Sequence, residues 1–345
     1  MNSTERLHAR LRGHPVDRPP NLDILMTYAA HLIGAPLSQY YLDHRVLAEA
    51  NLAALEAFDL DVVQTISDPY REAADIAAAS GAPDTVRFPA DGLPVLARPL
   101  LADGTDLSRL VFPAPHAGRR MADRLEATRL LAERVGGQVP VLGWVEGALA
   151  EAADLRGAAN LLVDLYDRPA WVGELLERCA ELAISFAREQ VRAGATIIGL
   201  GDALASQVAP RLYRELALPY ERRIFAAVHE EGALARLHIC GNTARILGDM
   251  AASGADIVDI DWMVDLSAAA TACADGPAVC GNFDPVAVML QGTPGEVRGA
   301  VAECLRRGGP RALSAAGCEI PDGTPRANLL AQRDALVAWG AGATR

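Results

Sequence analysis

Residues 170–240 read AWVGELLERCAELAISFAREQVRAGATIIGLGDALASQVAPRLYRELALPYERRIFAAVHEEGALARLHIC. In Ala170–Ala193 the apolar residues recur every three or four positions, the stripe of an amphipathic helix. Gly194 then marks a helix C-cap, and Ala195–Leu200 (ATIIGL) is a short apolar, β-branched run that reads as a strand. A second helical pattern, Pro210–Glu231, leads to a second such run, Ala235–Cys240 (ARLHIC). Buried apolar strands alternating with amphipathic helices argue for a parallel sheet covered on both faces.

The same unit recurs on either side. Further runs lie at Asn21–Met26, Leu60–Ile66 and Val139–Val145, then at Asp256–Ile260, Ala278–Phe283 and Arg311–Ala315. Gly254, ahead of Asp256, repeats the glycine signal of Gly194. Eight runs favour a closed (β/α)₈ TIM barrel over an open sheet. An N-terminal extension precedes the first run. The connection between the second and third runs is too long for one helix. It has room for a helix, a hairpin around Ala90-Asp91-Gly92 and a second helix, and residues 67–138 read as an insertion over the barrel mouth. The expectation is a single barrel domain over 1–345.

Bulk properties exclude several classes. The net charge of −12 gives no electrostatic support for binding a phosphate backbone, so no nucleic-acid partner is expected. No stretch approaches 18 uninterrupted apolar residues, and the polar N-terminus lacks the apolar segment of a signal peptide. A cytoplasmic protein without a membrane partner is expected. Six cysteines in 345 residues are too sparse for a disulfide scaffold and read as core residues, metal ligands or nucleophiles.

Barrels of this class build their sites at the C-terminal ends of the strands. Polar residues at those ends are Asp68, Glu146, Asp202, His238 with Cys240, Asp259 with Asp261, Asn282 with Asp284, and Cys318 with Glu319. In a strand, residues i and i+2 share a face, so His238 and Cys240 can reach one metal ion. Cys318 is the other cysteine at a catalytic strand end. One imidazole and two thiolates form a soft set that selects zinc, and three protein ligands leave a position open for substrate. Spacing alone leaves packing open as the role of these residues, since buried cysteines are common. Cys280, in mid-strand, reads as core. Asp284 precedes Pro285 and reads as a helix N-cap. Glu146 and Asp261 are the candidate catalytic carboxylates, taking a proton or orienting His238, with Asp68, Asp202, Asp259 and Asn282 as candidate substrate contacts; Asp202, Asp259 and Asp261 also read as structural partners within the mouth that orient the histidine or the substrate.

Residues 281–309 (GNFDPVAVMLQGTPGEVRGAVAECLRRGG) and 314–331 (SAAGCEIPDGTPRANLLA) resemble the C-terminal third of the uroporphyrinogen decarboxylase superfamily. Residues 13–20 (GHPVDRPP) and 58–81 (FDLDVVQTISDPYREAADIAAASG) fit its N-terminal pattern. The resemblance spans nearly the whole chain and implies the same barrel. True decarboxylases of this superfamily carry an arginine-rich motif after strand one, where this chain reads NLDILMTYAAH. They also carry a tyrosine after strand three, where this chain reads EGALAEAADLRG, and a histidine in place of Cys318. Asp68 alone aligns with their catalytic aspartate. His238, Cys240 and Cys318 match the zinc ligands of the superfamily's corrinoid-linked methyltransferases, the methylcobamide:coenzyme M type. The resemblance thus implies methyl transfer between a corrinoid and a zinc-activated thiol, with a reduced folate as another possible acceptor. A decarboxylase acting on a different substrate is the alternative. No D-x-H-x-x-G corrinoid-binding segment occurs, so the corrinoid is expected on a separate protein.

Overall fold

Six strands form a parallel sheet in the order Val63–Gln64, Val141–Glu146, Ile197–Gly201, Leu234–His238, Ile257–Asp259 and Ala278–Cys280 in the computed structural model, which describes residues 1–343. Two further segments close it. Leu313 and Ala316 bridge to Cys280 and Phe283 on one side, and Ser314 bridges to Asn21 on the other. Leu22 N–H donates to the Ser314 carbonyl at 2.8 Å, and Ser314 N–H donates to Pro20 O at 2.9 Å. Asp61 N–H donates to Asn21 O at 2.9 Å, joining the first segment to the second. The result is the closed eight-stranded barrel expected from the eight runs.

Alternation along the strands divides the core into two layers. Leu142, Trp144, Ile197, Ile257, Cys280 and Leu313 fill the lumen, and Leu7 of the N-terminal helix Ser3–Leu11 joins them. Val141, Val145, Ile198, Leu200 and Leu237 face outward into a larger cluster with the helices. In Pro169–Arg192 the buried Val172, Leu175, Leu176, Cys179, Ala183 and Phe186 form the stripe read from the sequence. Gly194 is required where it stands. Its φ is +112°, and a Cβ there would lie 2.5 Å from the Ala132 side chain. Cys280 is buried in the lumen, as read.

The strands are shorter than the apolar runs. The fifth strand ends at His238, which places Cys240 on the loop beyond it instead of within the strand. Pro210–Glu231 is two helices, Pro210–Leu216 and Leu218–Glu230. Pro219 has no N–H to continue the first helix and sits in the opening turn of the second. Residues 67–138 contain helix Arg71–Ala79, the antiparallel pair Val86–Arg87 with Val95–Leu96, and helix Arg119–Val135. Asp284 caps the turn beginning at Pro285 by accepting from Val286 and Ala287 N–H. No helix among the described residues is long and apolar enough to cross a membrane.

At the opposite end from the candidate site, Asp61 is 0 % exposed and pairs with both Arg6 and Arg18. It also accepts from Asn21 N–H at 2.7 Å, beside the seam where the first strand meets the second. Asp61→Ala would leave two buried guanidiniums without their shared carboxylate. The expected cost is about 3–5 kcal/mol of unfolding free energy. Urea denaturation checks it, and a loss below about 1 kcal/mol would contradict the role assigned to Asp61.

Candidate metal centre at the barrel mouth

His238 ends the fifth strand, Cys240 lies two residues on, and Cys318 follows the eighth strand. Their donor atoms all lie within 4.8 Å of one another. His238 Nε2 is 3.0 Å from Cys240 Sγ and 3.9 Å from Cys318 Sγ, and the two sulfurs are 3.7 Å apart. Ligands held tetrahedrally at about 2.0–2.3 Å from one zinc ion stand about 3.5–3.8 Å apart. The three donors therefore fit a zinc ion with little movement. They form the one such donor cluster among the described residues.

The histidine is held in one orientation. Its Nδ1 lies 2.8 Å from Asp259 Oδ2, which fixes the proton on Nδ1 and leaves the Nε2 lone pair facing the sulfurs. Asp259 is held in turn by Arg236, whose Nε is 2.8 and 3.0 Å from its two oxygens. Arg236 stacks over Trp144 in the lumen below, with its guanidinium carbon 5.7 Å from the ring centre. Burial works against the Asp259 anion, but Arg236 and His238 outweigh it and hold the carboxyl below the usual range. Cys318 drops to about 4, chiefly through the hydrogen bond it accepts from Cys240, whose own thiol is raised as the donor.

The carboxylates read from the strand ends separate into two sets. Asp68 and Glu146 line a cavity of about 180 Å³ together with His238, Cys240 and Cys318. Asp68 accepts from Ser67 Oγ at 2.7 Å and Tyr70 N–H at 3.1 Å and is paired with Arg120. Burial raises its pKa, but Arg120 and Arg71 prevail and hold it below the usual range. Glu146 is 3.1 Å from Arg71 and only 13 % exposed. Burial pushes its carboxyl up to about 8 despite Arg71, with Glu72 and Asp202 adding to the rise.

The remaining candidates are turned away from the cavity. Asp261 accepts from Gly241 N–H at 2.8 Å and Met263 N–H at 3.0 Å, so it pins the loop carrying Cys240 and is no proton acceptor for the cavity. Asn282 donates to the carbonyls of Asp261 and Val264 at 3.1 and 2.7 Å, bracing the segment that carries Asp261. Asp202 accepts from Ala150 N–H at 3.0 Å at the start of helix Ala148–Arg156, where Gly147 leaves room for its carboxyl. Asp259 positions His238. None of these four lines the cavity. The sequence reading missed Arg71, Arg120 and Glu72. Arg71, Glu72 and Asp68 stand together in DPYRE, directly after the second strand, and that adjacency was the available signal.

A profile for uroporphyrinogen decarboxylase (URO-D) matches residues 2–339. A methylcobamide:CoM methyltransferase of Methanosarcina mazei is 30% identical, covering 94% of each chain. A uroporphyrinogen decarboxylase of Saccharopolyspora erythraea is also 30% identical, over 80% of this chain and 78% of the relative. The solved structure of a methyltransferase from Methanosarcina mazei superposes with a TM-score of 0.88 at 24% identity, covering 98% of this chain and 99% of the other.

Glu146 yields a pH test. Its folded value of about 8 lies above the ordinary 4.5, so the folded protein keeps a proton that the unfolded chain releases. Its contribution to stability is full below about pH 4.5 and is lost as pH rises through about 8. Wild type minus Glu146→Gln difference infrared spectra should show a protonated carboxyl band at pH 6 that disappears above pH 8. The variant's thermal midpoint should fall less than the wild type's across the same window. An ionised carboxylate band at pH 6 would refute the assignment.

Proposed function

The chain belongs to the uroporphyrinogen decarboxylase (URO-D) family, and from that premise we propose that it is a zinc-dependent methyltransferase moving a methyl group between a corrinoid and a small thiol. The observation that carries this reading is the convergence of His238, Cys240 and Cys318 in the barrel mouth, with the imidazole oriented by Asp259. A decarboxylase has no use for such a donor set. The identity to the methylcobamide:CoM methyltransferase over 94% of both chains supports the same branch.

His238, Cys240 and Cys318 would hold the zinc, and the cavity beside them would admit the thiol. When bound, zinc lowers the thiol's pKa, so that the acceptor is present as a thiolate at neutral pH. Asp259 keeps His238 in the ligating tautomer, and Asp261 keeps the Cys240 loop in place. Glu146 lines the same cavity and, with its raised pKa, can exchange the thiol proton near neutral pH. In the forward direction the methyl carbon passes from cobalt to sulfur. The corrinoid would supply the methyl group and keep the electron pair of its carbon–cobalt bond, and the thiolate beside His238, Cys240 and Cys318 would form the carbon–sulfur bond. The apolar wall of Ile24, Met26, Ile66 and Trp144 excludes water from the nucleophile. The corrinoid arrives at the open mouth on a separate protein. The chain acts as one barrel domain in the cytoplasm, with residues 67–138 inserted over the mouth.

No arginine follows the first strand to pair with a porphyrinogen's carboxylates, which argues against that substrate. Uroporphyrinogen should therefore not be decarboxylated, and coproporphyrinogen accumulating over many turnovers would place the chain in the other branch.

Metal analysis should find about one zinc per chain. Cys318→Ser should lose the metal and thiol-dependent demethylation of methylcobalamin while staying folded. Cys280→Ser should keep the metal but lower the thermal midpoint by the equivalent of about 1–3 kcal/mol, because it leaves a polar group in the lumen core. Asp259→Ala should weaken zinc binding by about 10–100-fold. Zinc retained in Cys318→Ser but lost in Cys280→Ser would overturn the ligand assignment.

A further inference from the structure

The two cysteines of the candidate metal centre are also placed to react with each other. Their sulfurs are 3.7 Å apart, and both residues line the cavity at the mouth. A disulfide bond is about 2.05 Å long, so rotation of the two side chains has about 1.7 Å to close. Neither cysteine lies within a strand. Cys240 stands two residues beyond the end of the fifth strand, and Cys318 follows the last bridged residue of the eighth, Ala316. Both are half-buried, so a small reagent entering the mouth meets them. Cys179, Cys273 and Cys280 are buried, and Cys304 Sγ accepts from Asn282 N–H at 3.4 Å.

A bound zinc and a disulfide at this place exclude each other. The metal would hold its ligand atoms about 3.5–3.8 Å apart, close to the separation of the sulfurs here. A disulfide would draw the sulfurs together and remove the two thiolates, and a cysteine ligates only as the thiolate. His238 alone would remain of the three donors, and one imidazole does not make a zinc site. A mouth that admits a small thiol also admits the disulfide formed from it, so the oxidant that reaches the pair is of the same chemical class as the acceptor.

We propose that Cys240 and Cys318 form a reversible disulfide in the metal-free chain, a redox switch that closes the site to zinc until a small thiol reopens it. This rests on the zinc-thiol reading above and adds the regulation of that site. The oxidant is a small organic disulfide, RSSR. One cysteine thiolate attacks a sulfur of RSSR, the S–S bond breaks, and one RS⁻ leaves. The second cysteine sulfur attacks the mixed disulfide, the Cys240–Cys318 bond forms, and the second RS⁻ leaves. The two cysteine sulfurs supply the two electrons that reduce RSSR, and their two protons end on the two released RSH. An excess of RSH runs the same steps in reverse.

The test treats the full chain with 2-hydroxyethyl disulfide, once after chelation of metal and once loaded with zinc. In the metal-free chain the thiols titrated after denaturation should fall from six to four, and peptide mapping should join Cys240 to Cys318. The oxidised chain should take up no zinc, read by competition with a chromogenic chelator, until dithiothreitol restores all its thiols. The zinc-loaded chain should lose thiols at least about tenfold more slowly. Cys318→Ser should stop at a mixed disulfide on Cys240, whereas Cys280→Ser should close the bond as the wild type does. A mixed disulfide that persists in the wild type, a bond to any other cysteine, or equal rates with and without zinc overturns the proposal. Each of those results leaves zinc uptake by the reduced chain, and with it the methyltransferase reading, standing. A reduced chain that takes up no zinc defeats both.

Discussion

The pair of hydrogen bonds between Ser314 and the segment Pro20–Leu22 closes the barrel, and the candidate metal centre depends on that closure. His238 and Cys240 are neighbours in sequence, but Cys318 is 78 residues beyond Cys240. Only a ring places the eighth strand where its following loop can face the fifth. An open sheet of the same strands would leave the two cysteines at different points along its edge. Asp61 supports the other side of the first strand from the barrel's far end, so the seam is secured both by strand pairing and by a buried ion network.

Above the seam, a single chain of contacts carries the geometry from lumen to site. Trp144 packs under Arg236, Arg236 grips Asp259, and Asp259 orients His238. Each contact is buried, where a polar group without a partner is costly, so the side chains have few alternatives. The Cys240 loop is braced separately through Asp261, whose own segment is held by Asn282. Of the three candidate donors His238 thus sits on a strand end and Cys240 on the braced loop beyond it, and the polar groups below and beside them set their direction.

The same mouth also carries a wall of carboxyl groups that exceeds its guanidiniums. Burial raises the Glu146 carboxyl to about 8 against the pull of Arg71, with Glu72 and Asp202 adding to the rise.

How much of this was legible beforehand depended on the range of the interaction. Helix Pro169–Arg192, the glycine at 194 and the Asp284 cap follow from periodicity and backbone sterics, which act over a few residues, and the sequence determines them directly. Eight apolar runs also determine the barrel, because a parallel strand must be covered on both faces. His238 and Cys240 could be paired from their spacing, and Cys318 joined them through its place at a strand end. The roles of the carboxylates were decided by tertiary structure alone. Asp68, Asp202, Asp259 and Asp261 are the same residue at equivalent strand ends. Whether each meets the cavity, a helix N-terminus, a histidine or a loop amide depends on rotations of a few tens of degrees that no local pattern records. Arg71 and Arg120 were equally hidden, since an arginine's electrostatic role is set by the carboxylates that long-range folding brings against it.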